Sequence, residues 1–460
     1  MSQSQELGTE KISKLLVKMA VPASIGILVM SIYFIVDTIF VGQFVGTLGI
    51  AAITVVMPIT FLISSLGMAI GVGGSSIISR ALGADQFPKA CKTFGNMISL
   101  TFLLLIIVVS LGFFFGDEIL LAFGANGAIL EPARNYFQII LLGVPALAWA
   151  MMSNNVMRAE GEPKMAMLTM MIPAVANIIM DPIFIIGLDM GLEGAAWATT
   201  ISYYMSAGFA AWFFLSGRSE LKIYRSSLKL KLDIIREISA IGSVTLARQG
   251  AISLLSIVLN HSLFEYGDEV AVAIYGIISR VLMFANFPIL GITQGFVPIA
   301  GFNYGAEKWQ RVKDSIQLSL RSGTLIALSL FTIIMLFSSS LVMLFTSDVQ
   351  LIERTPNALR MIFLATPLIA VQLIGSAYFQ AIGKAMPALL LTLTKQGFFL
   401  IPLILILPNF FGLIGIWLSF PLADVLSAGV TYFYLRREVR LTLDLTLAKS
   451  DQNKEQNLVS

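Results

Sequence analysis

Residues 161–202 read GEPKMAMLTMMIPAVANIIMDPIFIIGLDMGLEGAAWATTIS, and three polar residues stand out of this apolar run: Asn177, Asp181 and Thr199. If 163–187 is one membrane-spanning helix, Asn177 and Asp181 lie four residues apart, on one face and one turn from each other. An ionisable group inside such a helix costs roughly 2.5–3.5 kcal/mol on insertion scales, so it normally faces an interior cavity and belongs to an ion or proton path. Asp181 is therefore the first functional candidate. The competing reading is an aspartate that only ties neighbouring helices together by hydrogen bonds.

The rest of the chain has the same character. Of its 460 residues, 57% are hydrophobic and 12% charged, with a mean hydropathy of +0.85, far from the mix of a soluble globular domain. The hydrophobic runs are too long for soluble core helices, and the short alternating segments of a β-barrel are missing from the sequence. The expected fold is an all-α integral membrane protein, with the lipid bilayer as its first partner. A net charge of +3, with basic residues scattered through short connections, argues against nucleic acid. Cys91 is alone, so no intrachain disulfide is expected, and no Cys/His cluster suggests a zinc or iron site. The polar start, MSQSQELGTEKISKLLVKM, lacks a small-residue cleavage site, so no removable signal peptide is expected.

Hydrophobic runs between Gly, Pro and charge punctuation give twelve spans, at about 16–41, 50–78, 93–115, 133–156, 163–187, 191–216, 238–264, 269–301, 316–341, 355–379, 386–408 and 411–435. The second and eighth are the longest, well past the roughly 20 residues a crossing needs, which implies tilt or extension past the bilayer. With the N-terminus and every second loop taken as one side, that side carries 24 of the 30 Lys and Arg. The other side has only Arg134, Arg354 and Arg360. This bias puts both termini in the cytoplasm.

The longest charged interruption, residues 216–241, falls mid-chain and reads as a linker between two six-helix halves. Its basic amphipathic character suits the anionic inner leaflet; an ordinary solvated loop is the alternative. The domain reading is thus an N-terminal lobe at 1–215, a cytoplasmic linker at 216–237, a C-terminal lobe at 238–440 and a cytoplasmic tail at 441–460. A shift of 222 residues brings ALGA at 81–84 onto NYGA at 303–306, and RAEG at 158–161 onto QAIG at 380–383. Six spans per half make these parallel repeats, pseudo-symmetric about the membrane normal, a geometry suited to rocking around a central cavity. Chemically the halves differ. The same shift places Asn177 and Asp181 near Phe399 and Leu403, and Asp37 near Leu259.

Asp37 lies near the outer end of the first span, at a depth similar to Asp181 and Thr199. The first, fifth and sixth helices are thus expected to converge on two carboxylates, an amide oxygen and a hydroxyl. Oxygen-only ligands suit a hard cation such as Na⁺, and two close carboxylates suit a proton, so the residues leave both ions open. Pro182 removes an amide hydrogen next to Asp181 and bends the helix, as a moving kink or as a static one. Tyr33, one turn before Asp37, and Tyr136 can donate hydroxyls; interfacial tyrosines also serve as belt residues. Asn154 and Asn155 are candidate cavity amides or helix-to-helix ties. Met165, Met167, Met170, Met171 and Met180 give the fifth helix a polarizable lining, or routine filler. Arg248, Arg280 and Lys395 are intramembrane cations, with Asp424 as a candidate partner. No GxxxxGK[ST] loop points to a nucleotide, and His261 is the only histidine, which leaves nothing for a Ser/His/Asp arrangement.

At these residues the chain resembles the multidrug and toxic compound extrusion (MATE) transporters. The resemblance is carried by VDTIFVGQFVGTLGIAA at 36–52, SRALGA at 79–84, RAEGEPKMAM at 158–167, NIIMDPIFIIG at 177–187 and GLEGAAWATTIS at 191–202, and it covers essentially the whole chain. An aspartate in the first helix with Asn-x-x-x-Asp in the fifth is similar to the DinF-like or MepA-like branch. The NorM branch also has acidic residues in its C-terminal half, where this chain has none at the matching positions.

The resemblance implies twelve transmembrane helices in two six-helix lobes forming a V, without a cofactor. It implies a secondary transporter, not an enzyme, that exports drugs and other toxic, amphipathic, often cationic compounds against inward H⁺ or Na⁺. It assigns Asp37, Asn177, Asp181 and Thr199 to the coupling-cation site, gives Tyr33 and Tyr136 hydrogen-bonding roles beside it, and matches Asn154 and Met170 to the substrate cavity. A monomer in a bacterial or archaeal cytoplasmic membrane is expected. The alternatives are a lipid-linked precursor flippase of the wider superfamily and an intramembrane aspartyl protease using Asp37 and Asp181.

Overall fold

The computed structural model describes residues 3–446, and among them no strand forms. Twelve long helices follow one another: α1 Ile12–Phe44, α2 Thr47–Gly83, α3 Phe87–Phe114, α4 Gly127–Ala159, α5 Pro163–Gly187, α6 Gly191–Leu215, α7 Leu232–Tyr266, α8 Glu269–Gly305, α9 Trp309–Met343, α10 Val349–Ala381, α11 Ala385–Phe411 and α12 Leu413–Asp444. All but α6 are long and apolar enough to cross a membrane. With 25 residues α6 is long enough too, about 37 Å, but its Gly, Ala, Ser and Thr dilute its hydropathy. Those small residues let α6 pack closely on its neighbours.

Every span expected from the hydrophobic pattern is present, and several are longer. The helix at 16–41 starts at Ile12, the one at 238–264 starts at Leu232, and the last runs on to Asp444. Polar turns outside the hydrocarbon carry no hydropathy signal, yet they continue a helix without cost when neighbours hold them. Of the tail at 441–460, the first residues complete α12, and those past 446 lie outside the described residues.

The chain forms two compact units. Among the described residues, one comprises those up to Glu6 with Ile25–Leu246, the other Leu7–Ser24 with those from Ala247 on. The unit boundaries fall inside α1 and α7, after Ser24 and after Leu246, and these points are 222 residues apart, the shift that aligns the sequence motifs. The packing repeats at the same shift. In the first unit Gly73 of α2 lies against Ile238 and Gly242 of α7; a Cβ there would be 3.1 Å from Gly242 N. In the second, a Cβ on Gly295 of α8 would sit 2.8 Å from Ala20 N of α1. Glycine at both positions allows a backbone approach that any side chain would block.

Polar ties lock these segments in place. Asn303 and Arg311 donate to the Leu7 carbonyl at 2.9 and 3.2 Å, Arg311 also to that of Glu10 at 2.6 Å, and Arg80 pairs with Glu237 at 2.8 Å. Each unit has its own apolar core, around Val41, Phe137, Leu141 and Ile185 in the first and around Ile278, Leu359, Phe363 and Trp417 in the second.

Candidate functional site

Asn177 and Asp181 lie on the buried face of α5. The Asn177 Nδ2 donates to Thr199 Oγ1 of α6 at 3.1 Å, and the carboxyls of Asp181 and of Asp37 on α1 are within hydrogen-bonding reach of each other. The four residues that the sequence singles out therefore meet, and none is more than 4% exposed. Ala174, Ala176, Ala195, Ala196 and Ala198, all buried, let α5 and α6 approach closely enough for this.

The local backbone is unusual. Pro182 has no N–H, so the Ile178 carbonyl loses its helical donor, and the next turn, Ile183–Gly187, widens into a π-helix. Such turns recur at functional sites because they re-aim side chains inside an otherwise regular helix. The start of α6 packs on the widened turn, where a Cβ on Gly194 would be 2.8 Å from the Phe184 carbonyl oxygen.

The decisive feature is an excess of acceptors. Asp37 Oδ1, Asn177 Oδ1 and both Asp181 carboxylate oxygens are buried without a donor. A buried acceptor left unpaired costs about 1–3 kcal/mol, and more when it is charged. A proton shared between the carboxyls, or a hard cation, removes that cost, and a donor set made only of oxygens suits either.

Beside these groups lies a cavity of about 50 Å³, lined by Tyr33, Asp37, Tyr136, Thr199 and Tyr203 with Met30, Met57 and Ser64 among the rest. It can hold a small ion or a few waters, while a drug-sized molecule needs several hundred Å³. Tyr203 was not anticipated, although it follows Thr199 by one helical turn and lies within hydrogen-bonding reach of Tyr33. Asn154 and Met170 are not among the side chains that line the cavity. Asn154 Nδ2 donates to the Ala166 carbonyl at 2.5 Å and to Thr169 Oγ1 at 2.9 Å, tying α4 to α5. Met170 packs against Gly26, with its sulfur 3.6 Å from Arg158 Nη2.

In the second unit Lys395 and Asp424 form an ion pair at 2.6 Å, only 20% and 6% exposed. Lys395 sits on another π-helical segment, Thr394–Leu400. Arg248 is half-buried and Arg280 exposed.

The family model MatE matches the chain twice, over residues 22–183 and 246–406. The chain belongs to the MatE family. The second match starts 224 residues after the first, in keeping with the repeat in the fold. As a MATE transporter it is a secondary carrier and not an enzyme. It is 30% identical over 435 residues to the multidrug export protein MepA of Staphylococcus aureus (strain NCTC 8325 / PS 47), which covers 94% of this chain and 95% of that protein. A MepA of Staphylococcus haemolyticus (strain JCSC1435) is 30% identical over 437 residues, with the same coverage. Among solved structures, a MATE crystallised in complex with MaL6 superposes with a TM-score of 0.91 at 26% identity, covering 96% of this chain and 99% of that one.

Proposed function

We propose that this MATE transporter exports drugs and other toxic organic compounds, amphipathic and often cationic, in exchange for inward-moving H⁺ or Na⁺. Similarity to two multidrug export proteins over nearly the full chain supports the substrate class. The coupling site is Asp37, Asn177, Asp181 and Thr199, and the observation that carries it is the set of buried acceptor oxygens without donors. These residues would hold the ion; Tyr33, Tyr136 and Tyr203 border it and supply hydroxyls as the ion enters or leaves. Pro182 and the π-turn behind it are the element that responds to occupancy. The protein acts as a monomer, and the six-helix lobes at 1–215 and 238–440 alternate access. The chain lies in a bacterial or archaeal cytoplasmic membrane, and the Lys and Arg bias supports both termini inside.

The test is substrate efflux from proteoliposomes under separately imposed pH and Na⁺ gradients. One gradient should drive efflux and Asp181→Asn should abolish it. Efflux that needs neither gradient sinks the antiport reading.

A further inference from the structure

The segment between α6 and α7 takes no part in the site above. Lys222, Arg225, Lys229 and Lys231 are exposed, and between them stand exposed apolar side chains: Tyr224 at 53%, Leu230 at 42% and Leu232 at 78%. This segment is no loose loop. Asn96 of α3 donates to the Ser227 carbonyl at 3.2 Å and accepts from Lys231 N at 2.6 Å, and Ser99 Oγ donates to the Leu228 carbonyl at 2.7 Å. Gly95 leaves room for the Ser227 backbone to lie directly on α3. The strap therefore faces α3 with its backbone and turns its cations and apolar groups outward.

Its depth follows from helix lengths. With 28 residues, α3 is about 42 Å long, roughly 12 Å more than the hydrocarbon core, and Asn96 lies about 14 Å from its start. The strap thus crosses α3 near the edge of the hydrocarbon. Trp212, near the end of α6, is covered by the Arg218 guanidinium at 4.7 Å, a ring-and-cation pairing that suits a membrane interface. The nearby acids are mostly committed: Glu220 accepts from Ser4, and Glu237 pairs with Arg80. Among the described residues no carboxylate pairs with the four exposed cations.

We propose that this strap is a binding surface for anionic phospholipids. Their headgroup phosphates pair with Lys222, Arg225, Lys229 and Lys231, while Tyr224, Leu230 and Leu232 enter the boundary between headgroups and acyl chains. Cations alone would describe a solvated loop, and an apolar strip alone would describe a protein groove. Alternation of the two at the edge of the hydrocarbon matches an anionic membrane surface. The inference rests on the membrane reading and is independent of which ion or drug is carried.

The experiment attaches bimane through Ser226→Cys in a Cys91→Ser background and reconstitutes the full chain with brominated lipids. Brominated phosphatidylglycerol should quench about tenfold more effectively than brominated phosphatidylcholine at low salt. About 0.5 M salt should erase that preference, as should the combined Lys222→Gln, Arg225→Gln, Lys229→Gln and Lys231→Gln variant. Equal quenching by the two lipids overturns the proposal. A preference that survives both high salt and the fourfold variant overturns it as well. Efflux is not the readout, so this inference and the export reading fail separately.

Discussion

Asn177 gives an amide hydrogen to Thr199 Oγ1 at 3.1 Å across the α5–α6 contact, and its own buried carbonyl oxygen has no donor. Thr199→Val keeps the side-chain shape and removes the acceptor. An unpartnered buried amide hydrogen costs about 1–3 kcal/mol, so the ion concentration for half-maximal efflux should rise about tenfold with the maximal rate less affected. Thr199→Ser should behave as wild type. Ion titrations of efflux in proteoliposomes measure this, and an identical titration for Thr199→Val would make the bond a structural tie alone.

Asp37→Asn and Asp181→Asn should each abolish gradient-driven efflux and leave a folded protein. Each keeps the side-chain volume and removes one of two facing carboxyls, and with it the group that exchanges a proton or holds a cation. Circular dichroism and size-exclusion profiles check the fold. Normal transport by both variants would remove the carboxyl pair from the coupling scheme.

Asp424 differs because its charge is already matched by Lys395 at 2.6 Å. Asp424→Asn leaves a half-buried ammonium without its partner, so thermal stability should fall. Lys395→Met with Asp424→Leu removes both charges and should recover most of it, since apolar replacements of a buried pair are often neutral or stabilising. Coupling should survive in the double variant. Loss of ion coupling in a well-folded Asp424 variant, as complete as for Asp181→Asn, would place coupling chemistry in the second unit too.

Glu160, between α4 and α5 and outside both, is 1% exposed; its Oε1 accepts from Ser219 Oγ at 2.6 Å and from Leu221 N at 3.0 Å. Burial, helped by the charges of Glu220 and Glu162, pushes its carboxyl from 4.5 up to about 8. The folded chain therefore holds a proton that the unfolded chain releases. The stability this gives is full below about pH 4.5 and lost as pH rises through about 8, a loss of a few kcal/mol. The wild-type Tm should fall across that window, and Glu160→Gln should flatten the fall. Parallel Tm curves for the two proteins would refute the assignment.

The parts of the site that were legible in the sequence are those set by one helix alone. The four-residue spacing of Asn177 and Asp181 fixes a shared face whatever surrounds it, and the same spacing from Thr199 reaches Tyr203, which could have been found that way. What escaped is which backbone acceptors the polar side chains reach. Asn154 meets the carbonyl of Ala166 and Asn96 that of Ser227, and since every residue offers the same carbonyl, neither partner leaves a signature. Lys395 found the partner its charge demanded, because an intramembrane cation requires one. The π-turns were beyond reach: a proline announces a missing donor but not whether the helix bends or widens.

Pro182 is the position where that distinction becomes functional. Its missing N–H frees the Ile178 carbonyl one turn before Asp181, and the widened turn after it bonds Leu188 N to the Ile183 carbonyl at 2.9 Å. Those bonds must rearrange if the ion leaving Asp181 shifts α5 against α1, and an ion can bias such an equilibrium only through its differential affinity for the two arrangements. Pro182→Ala supplies the missing donor and lets the π-turn close into a regular helix, which removes one arrangement. Transport should slow while substrate binding in the remaining state is largely kept. Single cysteines placed on both faces of the membrane, in a Cys91→Ser background, should then label from one side in preference to the other. Wild-type efflux with an unchanged labelling pattern would reduce Pro182 to a static bend.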